Sequence, residues 1–142
     1  MTFGGSQLIE LLAVRAKTEG YRFRMIVVDS SPDFSAIPMM ERLTQIGIKC
    51  KYCLISGVSY LISTTTKVFL EASSVLSNGA IQARVGTSLL ACIASKHQVP
   101  VVVFSESYKF SDKVNLDPIN NNEIRNPERI LQNPHLMNKQ NV

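Results

Sequence analysis

The chain has 142 residues, enough for one domain with a real core and too few for two ordinary ones. Hydrophobic residues make up 45%, which excludes a disordered chain, and no apolar run approaches the length of a membrane span. The net charge of +4, from 15 basic and 11 acidic residues, is a mild excess and not a nucleic-acid signature in itself.

Arg22, Arg24, Lys49, Lys51, Lys67, Arg84, Lys96 and Lys109 are spread along the sequence, which reads as solubilising charge unless folding gathers them. No charged-then-apolar leader is present, so the expected location is the cytosol. Three cysteines, an odd number, argue against a disulfide framework. Cys50 and Cys53 have CxxC spacing, but no second ligand pair for zinc accompanies them: Cys92, His97 and His135 stand apart. Their flanks read as strand, where positions three apart point to opposite faces, so both are expected as half-buried thiols.

Taken in order, Met1-Thr2-Phe3 resembles the end of a strand without its lead-in, which points to a piece of a longer protein. Gly4-Gly5 is a loop and Ser6 a helix N-cap. Leu8, Ile9, Leu11, Leu12 and Ala16 form the apolar stripe of a helix that Gly20 ends. Residues 24–29 are apolar on both faces, as a parallel sheet requires. Residues 30–33 form a loop. A helix follows from about Ala36 to Ile46, with Met39, Met40, Leu43 and Ile46 inward and Gly47 as its stop. Residues 48–55 are the next strand, and 57–63 a short helix.

The stretch from Val68 to Thr87 organises the rest. It begins as a strand, turns at Asn78-Gly79, and ends at Gly86-Thr87, where Thr87 is expected to cap a helix running to about His97. Such a loop-to-helix junction is suited to an anion, and Arg84 adds a full positive charge. Pro100 stops the helix, and Val101-Val102-Val103-Phe104 is another buried strand. Leu89 and Leu90 are expected in the core. Beyond Phe110 asparagines and prolines crowd the sequence, predicting a partly ordered return, a short helix near 127–131 and a frayed end.

Alternating strands and helices predict an α/β, Rossmann-like three-layer domain with a mostly parallel sheet. Ligands in such sheets sit at the carboxyl ends of strands, here Gly4-Gly5, residues 30–35, Ser56-Gly57, residues 71–78 and 105–109. These ends carry Asp29, Asp33, Glu71 and Glu106 but no histidine or cysteine, and Ser73 has no evident base. There is no nucleophile elbow, P-loop or dinucleotide fingerprint. The inventory can bind a phosphate, through Arg84, Lys109 and the helix start at Thr87, but offers no reactive group.

Asn78-Gly79, Arg84, Gly86-Thr87 and the later Glu106-Ser107-Tyr108-Lys109-Phe110 resemble the shared pattern of the regulatory subunits (alpha, beta, delta) of eukaryotic translation initiation factor 2B. The same pattern occurs in methylthioribose-1-phosphate and ribose-1,5-bisphosphate isomerases. The resemblance spans about Met1 to Glu123, and the delta type fits best, on residues 27–30, 84–87, 105–110, 122–123 and 126–127.

It implies a carboxyl-terminal domain over 1–123, whose preceding helical domain is missing here, and a polar tail over 124–142. It also implies a non-catalytic assembly and regulatory role in the exchange factor for initiation factor 2. The partners would be the beta and other subunits, and initiation factor 2 with its phosphorylated alpha subunit. Arg42 and Arg125 are candidates for meeting that phosphate. The resemblance implies no membrane contact, no direct nucleic-acid binding, no metal and no cofactor, and it leaves open self-pairing of the isolated domain.

The isomerases carry a catalytic cysteine where this chain has Gly5 and a catalytic aspartate where it has Ser73, and a substrate-contacting glutamine is replaced near Ser35. Isomerisation needs a positioned acid and base. The expected site is therefore a vestigial sugar-phosphate pocket of Gly4, Gly5, Ser73, Asn78, Gly79, Arg84, Gly86, Thr87 and Lys109. The alternative is a sugar-phosphate isomerase or a sugar-phosphate-binding sensor of the same fold.

Overall fold

The computed structural model describes residues 1–115, 124 and 126–131. The elements in chain order are β1 (Thr2–Phe3), α1 (Gln7–Thr18), β2 (Arg24–Asp29), α2 (Ile37–Gln45), β3 (Lys49–Leu54), α3 (Val58–Leu61), β4 (Val68–Glu71), β5 (Ser74–Leu76), β6 (Ile81–Gln82), α4 (Thr87–Lys96), β7 (Val101–Phe104), β8 (Phe110–Ser111) and α5 (Glu128–Leu131). Short 3-10 turns flank α3 and precede β8.

Five strands form one parallel sheet in the order β3-β2-β1-β4-β7. Direction therefore reverses between β1 and β4, the topological switch of a Rossmann-type sheet. Helices α1 and α2 cover one face, where Ile9, Ala13, Met39 and Leu43 pack on Met25, Val27 and Ile48. Helices α3 and α4 cover the other, where Val58, Ile62, Leu90 and Ala94 pack on Phe3, Val28, Val68 and Leu70. Burial on both faces explains why β2 and β4 have so few polar positions. The three-layer expectation is met.

Local signals explain most boundaries. Ser6 Oγ accepts from Ile9 N–H (3.2 Å) and starts α1. Gly47 turns α2 into β3 at φ +80°. Asn126 Oδ1 accepts from Glu128 N–H (2.9 Å) at the start of α5. The remainder of the Asn-rich return and tail, Arg125 included, lies outside the described residues.

Four expectations need correction. The buried face of α1 is Ile9 and Ala13, while Leu11 is 67% exposed and Leu12 also faces outward. A three- to four-residue repeat admits two adjacent stripes, and the sheet takes the one that carries the small Ala13. Ile46, beyond the end of α2, is exposed because the chain has already begun to turn toward Gly47. Leu89 is 50% exposed, whereas its neighbour Leu90 is fully buried. Thr87 is the first residue of α4, not its cap: Gly86 is the N-cap, at φ +100°.

The thiols behave as their spacing implied. Cys50 packs toward α1 and α2, where burial pushes its thiol up. Cys53 faces the other way and donates to Leu54 O (3.0 Å).

Candidate functional site: the switch point between β1 and β4

β5 and β6 form a hairpin closed by Asn78-Gly79, with Gly79 at φ +80° and Asn78 Oδ1 accepting from Ala80 N–H (3.0 Å). β8 adds to β5 in parallel, making a small second sheet in the order β6-β5-β8. This sheet continues from the carboxyl end of β4. Sequence reading saw the turn but not the strands, because β5 and β6 span three and two residues and β8 lies far along the chain.

Behind the hairpin is a cavity of about 590 Å³ lined by Glu71, Ile81, Arg84, Val85, Gly86 and Thr87, with Leu70, Ala91, Val101 and Val103 beneath. Of the expected pocket residues, Arg84, Gly86 and Thr87 therefore line one space. Gly4 and Gly5 meet the same group from the β1 side. Arg84 Nη1 donates to Ser35 Oγ, which also accepts from Gly5 N–H (3.4 Å). A Cβ on Gly4, at φ +65°, would stand 2.5 Å from Arg84 Nη1, and one on Gly5 would strike the Ser35 carbonyl. Gly86 faces Phe3, whose Cζ would lie 2.5 Å from an added Cβ. Glycine is thus required at both sides of the switch for close approach as well as for backbone sign.

Ser35 is held there by Asp29. This buried carboxylate accepts from Ser30 N–H (2.9 Å) and Ala36 N–H (2.8 Å), so it pins both ends of the 30–36 loop. Tyr52 Oη donates to the same carboxylate (3.4 Å), and burial, with the charge of Asp29, pushes its phenol up to about 12. Sequence reading placed Ser35 near a lost substrate contact but missed its bond to Arg84.

The other expected residues stand apart from this cluster. Ser73 is exposed and its N–H donates to Gln82 O (2.8 Å) in the hairpin. Asn78 and Gly79 occupy the hairpin tip and do not line the cavity. Lys109 is taken up by two carboxylates: Nζ contacts Glu71 Oε1 at 3.0 Å and Glu106 Oε2 at 2.7 Å. These bonds raise the Lys109 ammonium further and hold Glu106 below the usual carboxylate range. The triad ties the carboxyl ends of β4 and β7 together. Arg42 is likewise engaged, bidentately by Glu10 (2.6 and 2.7 Å), across α1 and α2.

The site thus combines an arginine at a Rossmann-type switch point, a glycine-started helix and a walled cavity, with no nucleophile–base pair among the described residues. That is the architecture of an α/β domain of the Rossmann type. The chain belongs to the Initiation factor 2 subunit family, which it matches over residues 1–141. It is 41% identical over 133 residues to Translation initiation factor eIF2B subunit delta of Dictyostelium discoideum, covering 94% of this chain and 22% of that protein. It is 28% identical over 118 residues to a ribose 1,5-bisphosphate isomerase of Thermococcus kodakarensis, covering 83% of this chain and 37% of that protein. Among solved structures, a chain of the tetrameric eIF2B-beta2-delta2 complex from C. thermophilum superposes with a TM-score of 0.76 at 27% identity, over 82% of this chain and 38% of that one. The chain spans about a fifth of the length of the delta relative.

Proposed function

We propose that this chain is the carboxyl-terminal assembly domain of a delta-type regulatory subunit of the exchange factor for translation initiation factor 2, and acts without catalysing a reaction itself. One observation carries the reading beyond the family match. Ile81 and Phe110 both pair with Val75 across the small sheet, so the three side chains share one face. Ile81 is 45% and Phe110 66% exposed, and Val85 and Leu89 are exposed close by in the chain's path to α4. An exposed apolar row of this kind suits a surface that a partner covers. A beta-type relative is the occupant, because a similar chain occurs in a solved beta–delta complex.

The non-catalytic reading rests on Gly5 and Ser73. Gly5 has no room for a side chain beside Ser35, and Ser73 faces outward from the hairpin. Neither position supplies the acid or base that isomerisation needs. Contact with initiation factor 2 and a cytosolic location follow from the same proposal.

Affinity capture of a beta subunit by this chain tests it. Phe110→Asp is expected to abolish capture while leaving the melting temperature within about two degrees, since its side chain is exposed and lies outside the cavity lining. A thermal shift with ribose 1,5-bisphosphate that disappears in Arg84→Ala, together with no beta capture, favours the sugar-phosphate sensor instead.

A further inference from the structure

The sheet has a second exposed end. At the amino ends of β2 and β3 a groove of about 430 Å³ is lined by Lys17, Tyr21, Arg22, Phe23, Arg24 and Lys49, together with Gly47 and Ile48. The sequence reading treated Arg22, Arg24 and Lys49 as dispersed charge, and the fold brings them together. Lys17 comes from α1, the Tyr21–Arg24 run enters β2, and Lys49 starts β3.

The lining contains four cations and no acid. Arg24 and Lys49 are direct partners in the β2–β3 ladder, where strands lie about 4.8 Å apart and like charges oppose folding. Arg22, Arg24 and Lys49 have no ion pair or side-chain hydrogen bond among the described residues. Helix dipoles do not account for this. The carboxyl ends of α1 and α2 point to this side, and Lys17 Nζ donates to Gly47 O (3.3 Å), which explains one cation and leaves three.

Aromatic rings alternate with these charges. Tyr21 is 65% exposed and Phe23 sits beside it at the groove wall. Exposed rings interleaved with cations serve a ligand that carries both anions and flat π faces. A run of carboxylates alone uses the cations and leaves the rings idle; a single-stranded nucleic acid uses both, with phosphates on the basic side chains and bases stacked on the rings. A duplex hides its base faces and would also leave the rings idle.

We propose that this groove binds single-stranded nucleic acid. It is remote in the fold from the switch-point cavity, at the opposite ends of the strands, and is independent of the function proposed above.

The test uses the 142-residue chain and fluorescein-labelled 12-nucleotide oligouridylate and oligothymidylate, read by anisotropy between 25 and 200 mM salt. Three phosphate contacts predict a log–log salt slope of about −2. The double variant Arg24→Ala/Lys49→Ala is expected to bring the slope to about −0.7. Tyr21→Ala is expected to weaken binding by about fivefold or more with the slope unchanged, which a purely electrostatic surface would not show. All three positions are exposed, so melting temperatures should not fall, and the double variant should gain slightly as the opposed charges are removed. Binding of either oligonucleotide in this pattern supports the proposal. Absence of binding at 25 mM salt overturns it. So does binding that ignores Tyr21→Ala and is matched by a duplex or displaced equally by polyglutamate, which would mark a docking face for acidic proteins.

Discussion

Arg84 crosses the switch point of the sheet to bond Ser35, 49 residues away in the chain, over a space kept open by Gly4. One side chain thereby joins the loop after β2 to the loop before α4 and closes over the carboxyl end of β1. The arginine that could meet a phosphate serves, in this structure, as a strut between two loops.

Asp29 controls that strut from below. Asp29→Ala removes the acceptor of the buried Ala36 N–H, and a loss of about 2–3 kcal/mol is expected on urea unfolding. Asp29→Asn keeps one oxygen and should lose less. In Asp29→Ala, amide exchange at Gly5 should quicken, since the loop that carries its acceptor Ser35 is no longer pinned.

Two glycines with positive φ should respond differently to alanine. Gly79→Ala meets no atom within 4 Å, so backbone strain of about 1–2 kcal/mol is the whole effect. Gly86→Ala adds a collision with the Phe3 ring, and a total of about 3 kcal/mol is expected. Paired denaturation curves measure the difference.

The Lys109 triad sets an acid response. Lys109 holds the Glu106 carboxyl below its unfolded value of about 4.3, so this group adds stability above that pH and loses it as pH falls further. Lys109→Met removes the cation that both carboxylates share. The variant should melt lower than the wild type at pH 7, and the gap between the two should narrow as pH falls through the Glu106 titration. Melting curves from neutral pH down into the carboxylate range check this.

Thr2 lies fully buried in the central strand, and among the described residues its Oγ1 has no hydrogen-bond partner. Thr2→Val replaces an unpaired hydroxyl by a methyl of similar size and should stabilise the domain by about 1 kcal/mol. Calorimetry would show a rise of a few degrees.

What was legible in the sequence was what local chemistry decides. β2 and β7 announced themselves as short runs apolar on both faces, Ser6 as a cap, and Gly47 and Gly79 as turns. The three-layer fold followed from their alternation. What was hidden depends on contacts between distant segments. β5 is three residues long and is defined by its partners β6 and β8. Lys109 reads as a pocket cation until Glu71, 38 residues earlier, is placed beside it. Gly86 takes the cap position at φ +100°, and the Phe3 ring, 83 residues earlier, leaves no space for a side chain there. Of the nine expected pocket residues, five gather around the switch point; Ser73, Asn78 and Gly79 shape the hairpin, and Lys109 braces β4 against β7.

In the proposed assembly a beta-type partner covers the face carrying Ile81 and Phe110. Native mass spectrometry of the chain co-expressed with a beta subunit reads this out. A mixed complex that Phe110→Asp removes is expected. A chain that remains alone or pairs solely with itself, and carries a bound pentose phosphate, overturns the proposal.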